Sequence, residues 1–378
     1  MTPDDRKYMR EALDLAARGR ALASPNPMVG AVVLDPAGNR AGEGFHTYDG
    51  VKHAETLAIE QAGQRARGGT LYVSLEPCTH QGRTPACTDG VLAAGIQRVV
   101  APHEDANPAV SGKGFARLRD QGVEVELAAE FAAEAQKLNE AYIHHTRTRL
   151  PLVTLKAALT LDGKIAAPDD NSGWITSDVA RLHVQQVRHD HDAILTGIGT
   201  VIADDCLLTD RTGLPRRRPL LRVVVDSLSR LPLESRLVES VANDLVMMTT
   251  SAAPAKRREA LEARGVAVHV FDADRGRVDL EAVVRWLGEQ QMLSLMIEAG
   301  AKLNWAALDA AVVDKILLYY APKILGGVDS LPMVGGVGRR ARAAAIRFSN
   351  LSTFPVAPDE FAVEAYLHKD GAAAPARP

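Results

Sequence analysis

The chain has 378 residues, 46% hydrophobic and 24% charged, with a formal net charge of −3 and three cysteines. That length favours two domains over a single core, and the slight acidity offers no general attraction for nucleic acid or an anionic membrane. The opening MTPDDRKYMR lacks the basic-then-apolar order of a signal peptide, no uninterrupted apolar run suffices to cross a bilayer, and three cysteines make no disulfide framework, so a cytoplasmic chain with reduced thiols is expected.

In chain order, residues 4–21 carry Tyr8, Met9, Leu13, Leu15 and Ala16 at helical spacing and stop before SPNP. MVGAVVL reads as a buried strand, DPAGN as a turn, and a helix is predicted from about His53. The strand TLYVSLEP, a helix over 84–94, the strand RVVAP, a helix GKGFARLRDQG closed by Gly122, and the strand VEVELA follow. One closing helix is predicted over 130–146. This order predicts a three-layer α/β domain.

Polar, basic TRTRLP marks a boundary, giving a first domain over 1–147 and a second over 148–368. The alternation then restarts with LVTLKAAL, a helix over 177–189, AILTGI, LRVVVDS, LVMMTT, VAVHVF, a helix over 279–290, LSLMIEAG and KILLYYAPKIL. The segment 369–378 has nothing to pack and is predicted to be a disordered tail.

Chemistry concentrates first at HAETLAIE and EPCTHQGRTPAC. One histidine and two thiolates suit zinc by softness, and catalytic zinc keeps three protein ligands with a fourth position for water. A nearby carboxylate that is not a ligand can shuttle protons. His53, Glu55, Cys78 and Cys87 supply such a set. Alone, each is more simply a surface histidine or a small core residue; together, H-x-E, a strand and P-C match the zinc nucleobase-deaminase signature in its first elements. The cysteines stand nine positions apart instead of three.

Together with SPNPMVGAVV, GEGFH and ANPAVSGKG, these stretches closely resemble the deaminase half of the bifunctional riboflavin-biosynthesis deaminase/reductase family, in which the long inter-cysteine insert with G-R-T-P is characteristic. The resemblance implies a cytidine-deaminase-like domain with zinc on His53, Cys78 and Cys87, and Glu55 as proton shuttle for hydrolytic release of ammonia from a pyrimidinone. It also implies contacts to the base and its phosphoribosyl group from Asn26, His46, Arg83 and Asn107. Here EDANP stands where the family more often has D-P-N-P, which weakens a contact by Asp105. His80 lies in the insert but is not needed as a ligand.

No G-x-G-x-x-G follows a strand in the second half, so a Rossmann site is not indicated. A cofactor could still bind where a strand meets a helix start, as at MIEAGAKLN. LKAALTLDGKIA, SGWITS, TGIGTVIADDCLLTDR, RVVVDS and APKILGG resemble the reductase half of the same family, which implies a dihydrofolate-reductase-like fold. The implied NADPH contacts are Ala158, Trp174, Thr200, Asp204, Ser227 and the loop Gly300, Ala301, Lys302, Leu303 and Asn304. The implied substrate contacts are Lys156, Ser172, Arg188, Leu208, Arg211 and Glu298, with Arg188 and Arg211 suited to clamping a phosphate. Asp204 and Glu298 both stand near the expected hydride-transfer site, and the residues do not decide which assists protonation. Thr160 and Cys206 replace the usual serine and proline.

Two decoys have simpler readings. In RHDHD, a histidine at a helix end more plausibly meets the last carbonyls than a metal. RRR at 216–218 reads as a solvated charge run. The expected function is thus a zinc deaminase and an NADPH reductase on one chain, acting on small phosphoribosyl-pyrimidines without nucleic-acid or membrane partners. A homo-oligomer is compatible with the sequence. The alternatives are a tRNA or single-stranded DNA deaminase, disfavoured by the acidity and the 4% aromatic content, and a non-catalytic zinc and nucleotide-binding protein, which would want a fourth metal ligand.

Overall fold

The computed structural model describes residues 1–108, 110–169, 172–272 and 276–367. Its described residues separate into two compact units, one spanning Met1–Arg149 with Pro215–Arg218, the other Leu150–Leu214 with the described chain from Pro219 to Leu367. The tail expected over 369–378 lies outside the described residues.

The first unit contains, in order, α1 (Pro3–Ala17), β1 (Gly30–Leu34), β2 (Arg40–Phe45), α2 (Ala54–Ala62), β3 (Thr70–Val73), α3 (Cys87–Ala94), β4 (Arg98–Ala101), α4 (Lys113–Asp120), β5 (Glu124–Leu127), α5 (Ala132–Leu138) and α6 (Glu140–Thr148). Its sheet runs β2-β1-β3-β4-β5, antiparallel across β2, β1 and β3 and parallel from β3 to β5. Strand alternation splits the core. Ala31, Val33, Leu71 and Val73 face one way and pack with Ala58 of α2, Val91 of α3 and Phe115 and Leu118 of α4. Val32, Leu34, Tyr72 and Val100 face the other way and pack with Met9, Leu13 and Leu15 of α1. Helices on both faces of one sheet make the expected three-layer domain.

Helix α1 begins on a capping box, in which the Thr2 side chain accepts the Asp5 N–H and the Asp5 carboxylate accepts the Thr2 N–H. The helix expected over 130–146 is instead broken at Asn139. The buried Asn139 side chain accepts the Met28 N–H at 2.8 Å and donates to the Met28 carbonyl at 2.9 Å. Pairing with a backbone outweighs continuing the helix there, and α6 starts afresh at Glu140.

The second unit contains β6 (Leu152–Thr160), β7 (Lys164–Ala166), α7 (Asp178–His189), β8 (Ala193–Gly197), α8 (Ile198–Asp204), β9 (Leu221–Val225), α9 (Arg236–Glu239), β10 (Leu245–Thr249), α10 (Ala255–Glu262), β11 (Ala267–Val270), α11 (Leu280–Glu289), β12 (Ser294–Ile297), α12 (Ala301–Asp309), β13 (Lys315–Ala321), β14 (Leu331–Pro332), β15 (Phe348–Ala357) and β16 (Glu360–Leu367). The large sheet runs β11-β10-β9-β8-β12-β6-β13-β16-β15, parallel as far as β13 and antiparallel beyond it. Its parallel strands read as near-continuous apolar runs because both faces are covered. The hairpin β15–β16 was not expected: FSNLSTFPVA mixes polar residues with Pro355, which a strand tolerates at a sheet edge, and β15 is that edge. Among the described residues no helix is long and apolar enough to cross a membrane.

Helix α2 lies unusually close to β2. A Cβ added at Gly42 would sit 2.1 Å from the Ala58 carbonyl, and one at Gly44 would sit 2.6 Å from that of Ala54. Gly42→Ala must push α2 off the sheet, and it is expected to destabilise the first unit by about 1–3 kcal/mol, read as a lowered denaturant midpoint.

Candidate active sites

The first site forms where α2 and α3 begin. His53 is the residue preceding α2, with extended backbone (φ −75°, ψ 159°) and no capping hydrogen bond from its side chain. Its imidazole turns instead to the thiols: Nδ1 lies 3.1 Å from Cys87 Sγ and 3.7 Å from Cys78 Sγ. Cys87 is the first residue of α3, and its backbone N–H donates to Cys78 Sγ at 3.4 Å. One donor atom from each of the three residues lies within 4.8 Å of the others, and this is the only such group among the described residues. Metal–ligand distances of about 2.0–2.3 Å put tetrahedral neighbours about 3.5 Å apart, so the set fits zinc.

The protonation of the set makes the same point. The hydrogen bond from Cys87, helped by His53 and the Cys87 N–H, lowers the Cys78 thiol to about 4. The hydrogen bond to Cys78, with burial, raises the Cys87 thiol. The hydrogen bond to Cys78 likewise holds the His53 imidazole above its usual range. Metal binding requires both sulfurs as thiolates, and a divalent cation is the group that would hold them so.

Glu55, 4% exposed in the first turn of α2, is outside the donor set. Burial raises its carboxyl, against the pull of His53, as suits a group that must take up and return a proton. His46 is also buried. Its Nδ1–H donates to the Lys52 carbonyl at 2.9 Å and its Nε2 accepts from Asn26 Nδ2 at 3.0 Å. Burial lowers its pKa, so the ring is neutral, edge-on to His53 with centroids 5.2 Å apart. Arg83, exposed on the insert, donates to the Tyr48 carbonyl at 2.9 Å and lies 4.4 Å over that ring. His80 is exposed and outside the donor set. Asn107 sits in the loop after β4, its N–H bound to Asp105 Oδ1 at 2.8 Å.

The second site gathers at the C-terminal ends of parallel strands, the usual ligand edge of such sheets. Glu298, just past β12, accepts from Arg188 Nε at 2.8 Å, Arg188 Nη2 at 3.0 Å and Lys156 Nζ at 3.4 Å. Desolvation alone would raise Glu298, but the Lys156 and Arg188 charges overcome it and hold the carboxyl down at about 2. Burial pulls Lys156 below the usual lysine range despite Glu298, and its Nζ lies 5.6 Å over the Tyr319 ring. Arg188 also donates to the Thr209 carbonyl at 3.0 Å, so three of its N–H groups are engaged inside the protein. Arg211 is exposed.

Among the expected cofactor contacts, Thr200 on α8 faces Gly300 before α12, where an added Cβ would lie 3.8 Å from its hydroxyl. Asn304 is fully buried, donating to the Met333 carbonyl at 2.9 Å while its Oδ1 finds no protein partner. Ala158 lies on β6, Ser227 follows β9, and Asp204 ends α8. Trp174 is 68% exposed with Arg181 over its ring, and Ser172 is exposed too. Leu208 is buried at φ +54°. Two further buried side chains lie beside these residues and had no mark in the sequence: Glu76, three residues past β3 and two before Cys78, and Tyr319, within the apolar β13 under Lys156.

The decoys resolve. His191 Nδ1 meets the Val187 carbonyl at 2.7 Å, as expected of a helix end, and His189 pairs with Asp210. Arg216–Arg218 are half-buried, with Arg216 donating to the Arg218 carbonyl, so the solvated reading of that run does not hold.

A histidine with two cysteines beside a buried glutamate in a three-layer unit fits a zinc deaminase, and a second, largely parallel-sheet unit follows it. Residues 2–102 match the cytidine and deoxycytidylate deaminase zinc-binding region, and residues 151–358 match the RibD C-terminal domain. The riboflavin biosynthesis protein RibD of Actinobacillus pleuropneumoniae is 38% identical over 93% of each chain, and that of Escherichia coli is 39% identical over 92% of this chain and 96% of its own. Solved structures agree. RibD of Acinetobacter baumannii matches with TM-score 0.84, and a diaminohydroxyphosphoribosylaminopyrimidine deaminase/5-amino-6-(5-phosphoribosylamino)uracil reductase of Thermotoga maritima with 0.79; each is 34% identical and covers 97% of this chain and 99% of its own. The chain belongs to the RibD family. It is a bifunctional deaminase and reductase of riboflavin biosynthesis, with zinc as cofactor of the first half and NADPH of the second.

Glu298→Gln leaves Lys156 and Arg188 without their counter-charge, and unfolding of the second unit is expected to become easier by about 3–5 kcal/mol. Because the Glu298 carboxyl is depressed, its contribution is present above the ordinary carboxylate range and lost as pH falls toward about 2. The deficit measured by denaturant titration should therefore be largest near neutrality and shrink in acid.

Proposed function

We propose that the first half, residues 1–147, hydrolyses the amino group of a diamino-phosphoribosylamino-pyrimidinone, and that the second, residues 148–368, reduces the ribosyl side chain of 5-amino-6-(5-phosphoribosylamino)uracil to ribityl. What carries the first assignment is the convergence of His53, Cys78 and Cys87 beside a buried Glu55. His53, Cys78 and Cys87 hold zinc, which when bound makes water a nucleophile at neutral pH. Glu55 would take up a proton from the attacking water on its carboxylate and return it to the amino group, which would leave as ammonia after the oxygen has added to the carbon. Asn26 and neutral His46 orient the base, while Arg83 and Asn107 hold the phosphoribosyl group.

In the second half, Ala158, Thr200, Ser227 and the Gly300–Asn304 turn cradle NADPH, the hydride source, with Trp174 at its edge. Lys156, Ser172, Arg188, Leu208, Arg211 and Glu298 hold the open-chain sugar and its phosphate. Glu298, kept ionised by Lys156 and Arg188, serves as a hydrogen-bond acceptor. Asp204, at the end of α8, stands with the NADPH contacts. Acting on free small molecules, the chain works in the cytoplasm without nucleic-acid or membrane partners, and self-association is compatible with these roles.

Glu55→Gln is expected to keep parental zinc by metal analysis and to lose deamination by about 10²–10⁴-fold in an ammonia-release assay. An active variant would remove Glu55 from the mechanism. Cys78→Ser should lose zinc yet keep NADPH oxidation with the deaminated substrate; loss of both would mean the halves are not independent.

A further inference from the structure

Glu76 belongs to neither set of residues assigned above, and its carboxylate is 3% exposed. Oε2 accepts the backbone N–H groups of Asp105 and Gly112, each at 2.9 Å. Oε1 accepts those of Gly114 at 2.8 Å and Phe115 at 3.1 Å. Gly114 and Phe115 stand in the first turn of α4, where unpaired N–H groups and the helix dipole favour an anion. Asp105 and Gly112 are the two ends of the loop that carries Asn107. A carboxylate alone among the side chains can accept four such donors at once.

The fit is tight on both sides. A Cβ added at Gly114 would lie 2.1 Å from the Pro77 carbonyl, so α4 starts directly against the segment that leads into Cys78. Within the loop, Asp105 passes the constraint on, since its Oδ1 accepts both the Asn107 N–H at 2.8 Å and the Tyr142 hydroxyl at 3.2 Å. One unbroken series of hydrogen bonds thus runs from Glu76, two positions before Cys78, through Asp105 to Asn107.

We propose that Glu76 is a positioning residue for deamination: its carboxylate fixes the Asn107 loop relative to the segment after β3 that bears Cys78, and so sets the distance between the substrate's phosphoribosyl group and the metal ligands. This rests on the reading of Asn107 as a substrate contact. Glu76 touches neither substrate nor metal, so its removal weakens binding more than turnover. Glutamine keeps the shape but turns one of the two acceptor oxygens into a donor aimed at backbone N–H groups.

The test uses the full-length, zinc-loaded chain. Glu76→Gln is expected to raise KM for the deaminase substrate by about tenfold or more, the scale of lost charge-assisted hydrogen bonds, with kcat within about threefold of the parent. Zinc content and NADPH oxidation with the deaminated substrate should stay parental. Asn107→Ala should raise KM by itself, and the double variant E76Q/N107A should fall short of the product of the single effects, because the two act in series. A parental KM in zinc-loaded E76Q overturns the proposal while leaving Asn107 in place. Loss of zinc and kcat at unchanged KM also overturns it, making Glu76 a support for Cys78 alone. A parental KM in N107A instead overturns the reading of Asn107, and the proposal with it. If E76Q does not fold, Asp105→Asn carries the test, since it leaves all four donors on Glu76 and loosens the links from Asp105 to Asn107 and to Tyr142. The same rise in KM is expected there, and a parental KM refutes the proposal.

Discussion

A helix can lie against a strand at backbone distance only where the strand carries no side chain, and the first active site depends on that constraint. Gly42 and Gly44 of β2 leave room for the Ala54 and Ala58 carbonyls of α2, and a methyl at either glycine would collide with them. The start of α2 is thereby fixed relative to the sheet, and with it the two residues that matter: His53 just before the helix and Glu55 in its first turn. The start of α3 brings Cys87 to the same place from the other side of the insert. Two helix starts and the segment after β3 supply the proposed metal ligands and proton carrier, so the site's precision comes largely from packing between regular elements.

The second unit solves a different problem. Its ligands must meet a charged cofactor and a phosphorylated sugar, and it gathers charge inside the protein before any ligand arrives. Lys156, Arg188 and Glu298 come from β6, α7 and the end of β12, and they are mutually neutralising to within one positive charge. Such a set is costly to desolvate and costly to break, but complete it holds its members in one geometry. That net positive charge suits a phosphate-bearing substrate.

Much of this was legible in the sequence because it is local. H-x-E beside a helix start, P-C after a strand and the G-R-T-P insert each occupy a few adjacent residues, and apolar periodicity set most elements to within a few positions. What escaped was long-range. Nothing near Asn139 shows that its side chain will pair with Met28, so one helix was expected where two stand. The edge hairpin β15–β16 is polar enough to read as loop, since only its position at the sheet margin makes Pro355 acceptable. Arg188 could be read as a phosphate ligand but not as the partner of Glu298, because that pairing joins residues 110 positions apart. Glu76 has the same character: its donors lie 29 to 39 residues downstream.

The Asn139–Met28 pairing also bears on how much chain a working deaminase requires. The stretch matching the zinc-binding region ends at residue 102, and the proposed ligands and proton carrier all lie within it. Yet the segment leading into β1, next to Asn26, is held by an amide that enters the fold only after five strands have been laid down. A fragment cut at the end of the recognisable motif would keep the proposed reactive groups but leave the loop next to Asn26 without its anchor. The smallest autonomous catalyst is therefore longer than its signature, and its boundary is drawn by a residue that takes no part in the chemistry.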